Sequence, residues 1–105
     1  MMDEKTARVV SVIKRMLPDA RVVLFGSRAR GDHLADSDID LIVVSGAFEG
    51  IHFTDRASLI IKALVVEGVR VGVDVELFCY TPGEFEEKRR EFGLVKGALE
   101  EGVEL

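Results

Sequence analysis

Hydrophobic positions along this chain follow two periods, and the switches between them mark its elements. Val9, Ile13, Met16 and Leu17 recur at helical spacing over residues 4–17, and Pro18 follows to stop the helix. Residues 20–25, Ala-Arg-Val-Val-Leu-Phe, are β-rich and end at Gly26. Residues 39–44 are nearly all apolar after an acidic start, which predicts a central strand covered on both faces. Helical spacing returns over 55–67, with Ala57, Ile60, Ile61 and Leu64 on one side, Thr54 placed as a cap and Gly68 beyond the end. Residues 71–79 alternate: Val73, Val75 and Leu77 point one way, Asp74, Glu76 and Phe78 the other.

Thr81-Pro82-Gly83-Glu84 has the form of a capping box with proline at the first helical position, so a helix is expected through about Phe92. Gly93 breaks it, and residues 94–101 make a last short helix. The order α-β-β-α-β-α-α predicts an α+β fold, an α/β sandwich in which helices pack on a small mixed sheet and leave one side open for a site. Repeats, low-complexity tracts and linkers are absent, so residues 1–105 read as a single domain.

Composition narrows the function more than the fold. The apolar runs are far too short to span a bilayer. The start, Met-Met-Asp-Glu-Lys, lacks the order of a signal peptide, and a cytosolic location is the expectation. The single cysteine, Cys79, lies in an apolar run and reads as a buried, inert thiol. With 19 acidic against 14 basic residues the net charge is −5, which argues against a nucleic-acid substrate gripped by this chain alone. A nucleotide remains compatible, because a local cluster and metal ions can handle its phosphates.

The candidate chemistry is concentrated in residues 26–40. Gly26 lets backbone approach a phosphate, and Ser27 adds a hydroxyl at the start of a short helical turn. Arg28 and Arg30 lie in that turn, where guanidinium groups can meet phosphate oxygens. Ten residues after Ser27, Asp38 and Asp40 stand two apart at a strand start and share a face. Their mutual repulsion is relieved by a divalent cation, and hard oxygen ligands select Mg2+ or Mn2+. Asp74 is the preferred third carboxylate, with Glu76 as its rival on the same face. Taken singly, Gly-Ser makes plain turns and Asp-x-Asp faces solvent; their conjunction describes a two-metal phosphoryl or nucleotidyl transfer site.

Gly26-Ser27, ten residues, then Asp38-x-Asp40 resembles the signature of the DNA polymerase beta-like nucleotidyltransferase superfamily. The strings Gly26-Ser-Arg-Ala-Arg-Gly31 and Ser37-Asp-Ile-Asp-Leu41 are similar to its minimal nucleotidyltransferase (MNT) branch, as are the segment from Thr81 to Phe85 and the Ala98–Gly102 ending. The resemblance implies that Gly26, Ser27 and Arg30 contact a triphosphate while Asp38, Asp40 and Asp74 hold the metals. It also implies transfer of a nucleoside monophosphate, AMP from ATP, to a hydroxyl acceptor. Minimal members are similar to antitoxins of HEPN–MNT pairs, in which the acceptor is a tyrosine of the HEPN ribonuclease partner.

Two other readings compete. One is a module that neutralises its partner by contact, and the other is nucleotidylation of a small molecule, for which a chain this short needs pocket walls from a second subunit. The sequence leaves open action alone, as a homodimer or in a hetero-complex. Several residues carry blander expectations. Arg28 and His33 form an Arg-x4-His spacing out of its usual context, and His52 belongs to a connector with Phe48 and Phe53. Tyr80 is a strand-end residue that could be self-modified, and Phe85 and Phe92 either cap the core or meet a partner.

Overall fold

The computed structural model describes residues 2–31 and 36–105. The first helix, α1 (Glu4–Met16), starts at Asp3, whose carboxylate accepts the Thr6 amide at 2.7 Å, and Val9, Val12 and Ile13 form its buried stripe. Strand β1 (Arg21–Phe25) delivers the chain to a four-residue helix, α2 (Ser27–Arg30). Strand β2 (Ile39–Val44) returns antiparallel to β1, with Phe25 opposite Asp40 and Arg21 opposite Val44. A 3-10 turn (Gly46–Phe48) and α3 (Phe53–Val66) cross over to β3 (Val75–Tyr80), which runs parallel to β2. Helices α4 (Pro82–Lys88) and α5 (Leu94–Glu101) follow, and β4 (Val103–Glu104) closes a four-stranded sheet of order β3-β2-β1-β4.

The expected α+β architecture is present: a mixed sheet with helices on both faces. On one face α1 and α3 pack against Val22, Leu24, Ile39, Leu41 and Val43. On the other, Phe85, Val95 and Ala98 of α4 and α5 cover Val23, Ile42, Val44 and Tyr80. Sandwiched between the two layers, β2 buries every residue except the half-exposed Asp40. Asp40 lies on the α4–α5 face, at the end of the sheet that those two helices leave uncovered.

Four elements depart from their sequence-based expectation. Helix α3 begins at Phe53, not at 55, and its cap is His52, whose Nδ1 accepts the Thr54 amide at 3.3 Å; Thr54 itself lies within the first turn. Strand β3 begins at Val75, because Gly72 adopts φ +73° and turns the backbone where the valine alternation suggested extended chain. The capping box at Thr81 and Glu84 forms in both directions, but α4 stops at Lys88 and leaves Phe92 93 % exposed while Phe85 is buried. The two-residue β4 was not expected; it pairs Val103 and Glu104 with Leu24 and Val23.

Candidate active site

Strand pairing assembles the acidic cluster. In the parallel register Asp40 stands opposite Glu76, and Ile39 opposite Val75, so Asp74 falls beside Asp38 one step earlier. The Ile39 amide donates to the Asp74 carbonyl at 2.9 Å, which ties the two strand entries together. Asp40 and Glu76 therefore share one face of the β2–β3 pair, while Asp38 and Asp74 stand at the entries to the two strands.

Asp40 and Glu76 are in direct side-chain contact. Burial, the hydrogen bond to Glu76 and the charges of Glu76 and Asp38 together push the Asp40 carboxyl up to about 6. Phe25 stands opposite Asp40 on β1, and its ring meets that of Phe78 at 5.7 Å. Thus Glu76, the rival of Asp74, is the acid that touches Asp40, whereas Asp74 is exposed and lies next to Asp38.

Gly26 approaches the same carboxylate from β1. Its φ of +75° is a backbone conformation that L side chains rarely adopt, and a Cβ there would collide with Asp40 Oδ2. Ser27 follows as the first residue of α2, where the Gly26 carbonyl receives the Ala29 and Arg30 amides. The leading amides of such a turn have no partner within it. The Gly-Ser cradle and the Asp-x-Asp pair, separated by ten residues in sequence, therefore meet in space.

The two arginines of α2 differ. Arg30 is half-exposed and pairs with Glu101 at 3.3 Å across solvent, a weak bond that a phosphate can replace. Arg28 corrects its expectation as a phosphate contact: its side chain is only 3 % exposed, and its guanidinium bonds Asp3 and the Ser37 carbonyl. A group so enclosed does not present its donors to a ligand. His33 lies outside the described residues.

Beside the acids lies an open groove of about 780 Å³, lined by Asp38, Asp74 and Glu76 on one side and by Ile61, Leu64, Val65 and Val69 on the other. Gly26 and Ser27 do not line it. The chemistry of the donor set suits a hard divalent cation: carboxylate oxygens crowd one another, and one of them holds its proton to unusually high pH. Among the described residues no three acids already converge into a complete cage. Magnesium is ordinarily held by one or two carboxylates together with substrate phosphates, so the pair and its cradle fit such an ion.

Residues 7–105 match the nucleotidyltransferase domain family. The chain belongs to that family. Over 82 residues this nucleotidyltransferase domain is 33 % identical to the "putative protein adenylyltransferase" of Methanocaldococcus jannaschii, covering 78 % of this chain and 73 % of that one. Its fold is similar to the crystal structure of a "putative nucleotidyltransferase" from Sulfolobus solfataricus, with a TM-score of 0.60 at 26 % identity over 96 % of this chain and 76 % of that one. The BolA domain of SufE1 from Arabidopsis thaliana matches in fold alone, with a TM-score of 0.61 at 22 % identity over 80 % of this chain and 99 % of that one. Fold likeness thus extends beyond the family, so the fold alone does not assign the chemistry.

Among the described residues no helix is long and apolar enough to cross a membrane. Cys79 is buried, and burial pushes its thiol up to about 12, as expected of an inert side chain. Tyr80 is buried against Phe53, and burial also raises its phenol; enclosure at the strand end argues for a packing role over self-modification.

Proposed function

We propose that this nucleotidyltransferase domain transfers AMP from ATP to a hydroxyl acceptor, a tyrosine on a helical HEPN partner, and so acts as an antitoxin. One observation carries the chemistry: the carboxylate of Asp40 lies against Gly26, so a triphosphate cradled by Gly26 and Ser27 arrives beside the acidic cluster. The choice of AMP is supported by likeness to a relative named as a protein adenylyltransferase. The net charge of −5 favours a protein acceptor over a nucleic acid.

In this reading Asp38 and Asp40 hold Mg2+ or Mn2+ with a third carboxylate from Asp74 or Glu76. Such ions, when bound, lower the proton affinity of an attacking hydroxyl and neutralise a departing pyrophosphate. The backbone of Gly26 and the hydroxyl of Ser27 orient the phosphates, and Arg30 leaves Glu101 to pair with them. The acceptor oxygen bonds to the α-phosphorus as the bond to the bridging oxygen of the β-phosphate breaks. The hydroxyl proton passes to a carboxylate at the groove side, where Asp74 and Glu76 are exposed. The groove's apolar wall suits an acceptor whose hydroxyl is carried on an aromatic ring.

Incubation with Mg2+ and α-labelled ATP, with and without the HEPN protein, tests the proposal. Label is expected on the partner only, and Asp38→Asn and Asp40→Asn are expected to abolish it. If both variants inhibit the partner as well as the parent does, neutralisation by contact replaces catalysis.

A further inference from the structure

We propose that Arg28 is a positioning residue for Asp38, holding it through the peptide that joins Ser37 to Asp38; the proposal builds on the reading of Asp38 as a metal-holding carboxylate. Asp38 precedes the first residue of β2, so the strand ladder does not fix it. Its two flanking peptides are nevertheless both bonded. On the far side, the Ile39 amide donates to the Asp74 carbonyl. On the near side, Arg28 Nε and Nη2 both donate to the Ser37 carbonyl, at 3.1 and 2.7 Å. With the peptides before and after it held, the backbone of Asp38 and the direction in which its Cβ leaves the chain are set.

The anchor reaches further. Arg28 Nη1 donates to Asp3 Oδ2, while Asp3 Oδ1 caps α1 through the Thr6 amide. One guanidinium therefore joins the start of α1, the turn that carries Ser27, and the segment entering β2. Converging donors on one carbonyl, with a third aimed at a carboxylate, require the planar fork of arginine; an ammonium cannot reproduce it. Burying a guanidinium in so small a domain is costly unless every bond is made. Because Arg28 follows Ser27 directly in sequence, it fixes the spacing between phosphate cradle and carboxylate.

The test compares the full chain with Arg28→Lys, Arg28→Met and Asp3→Asn, the last keeping a capping oxygen but removing the negative charge that faces Arg28. Mn2+ alone is titrated by electron paramagnetic resonance, ATP binding is measured in EDTA, and exchange of the Ile39 amide is followed by NMR. Arg28→Met is expected to weaken Mn2+ binding at least about tenfold, the usual scale for residues that orient ligands. It should also speed Ile39 exchange with little change at Leu41 and Val43, and leave metal-free ATP binding unaltered. Arg28→Lys and Asp3→Asn should fall between it and the parent, which covers the case in which Arg28→Met does not fold. Folded variants with parental Mn2+ affinity and parental Ile39 exchange overturn the proposal, and a loss confined to ATP binding in EDTA makes Arg28 a phosphate contact instead. A parent chain that binds no Mn2+ refutes the metal site of the proposed function, while Ile39 exchange still decides the part played by Arg28.

Discussion

Gly26 and Asp40 touch across the β1–β2 pair so closely that any side chain at position 26 would strike the carboxylate. Gly26→Ala therefore incurs two penalties, the collision and the strain of φ +75°. A loss of about 1–3 kcal/mol in unfolding free energy is expected, alongside loss of nucleotidyl transfer. Urea denaturation of the single and double variants separates the two penalties. Adding Asp40→Ala should recover the collision but not the backbone strain, and strictly additive losses would show that the two residues do not meet.

The raised proton affinity of Asp40 gives a pH prediction with a definite sign. Its folded carboxyl titrates at about 6, above the usual 3.8, so protonation favours the fold. That contribution is complete below pH 3.8 and is lost as pH rises through 6. Asp40→Asn removes the titration, so in EDTA its melting temperature should gain on the parent between pH 4 and 7. Thermal melts across that range check it, and a constant difference would refute it. Above pH 6, Mn2+ should stabilise the parent and leave Asp40→Asn nearly unmoved.

Most of the fold was legible because hydrophobic period and punctuation agree along this chain. Pro18, the capping box at Thr81 and the unbroken apolar run after Asp40 place the end of α1, the start of α4 and the course of β2 within a residue or two. The cradle and the Asp-x-Asp pair were legible for the same reason, since adjacent strands bring their ends together. What escaped depends on partners distant in sequence. Nothing local says that Arg28 is claimed by Asp3, 25 positions earlier, or that Arg56 is buried in α3 to meet Glu84. Likewise Asp74 and Glu76 share a face in any alternating strand, and only the register with β2 shows which of them meets Asp40.

Arg56 carries the second stability prediction. It is 5 % exposed, and its guanidinium bonds the carbonyls of Ile51 and Cys79 and both oxygens of Glu84. Arg56→Ala leaves the Ile51 and Cys79 carbonyls without this donor, while Glu84 is half-exposed and can be solvated, so a loss of about 1–3 kcal/mol is expected. The hydrogen bond from Arg56 holds the Glu84 carboxyl below its usual range. The stabilisation is thus present above pH 4.5 and fades as pH falls further. Urea midpoints at pH 7 and pH 3.5 should differ less in Arg56→Ala than in the parent.

Phe85 and Phe92 lie seven residues apart, and the structure separates them completely. Phe85 is 1 % exposed beneath α4, and its replacement by alanine should cost about 3–5 kcal/mol. Phe92 is 93 % exposed, with the Lys96 ammonium 4.2 Å from its ring, so Phe92→Ser should change stability by less than about 0.5 kcal/mol. Parallel chemical denaturation checks both; a large loss at Phe92 would mean that it is covered in solution by a second molecule.

Two acids compete as third carboxylate, Glu76 by its contact with Asp40 and Asp74 by its shorter side chain beside Asp38. Glu76 faces Asp40 directly in the register, whereas Asp74 faces Asp38 from just before β3. Glu76→Gln removes a charge that raises the Asp40 carboxyl, so Asp40 should titrate lower in that variant; Asp74→Asn should leave Asp40 nearly unchanged. Carboxyl carbon NMR across pH 4–8 reads this without any substrate. Transfer assays on the same variants then assign the reaction. If only Asp74→Asn abolishes transfer, Asp74 is the third ligand and Glu76 serves to hold Asp40. If only Glu76→Gln abolishes it, the acid in contact with Asp40 is the ligand, and Asp74 contributes through its backbone carbonyl alone.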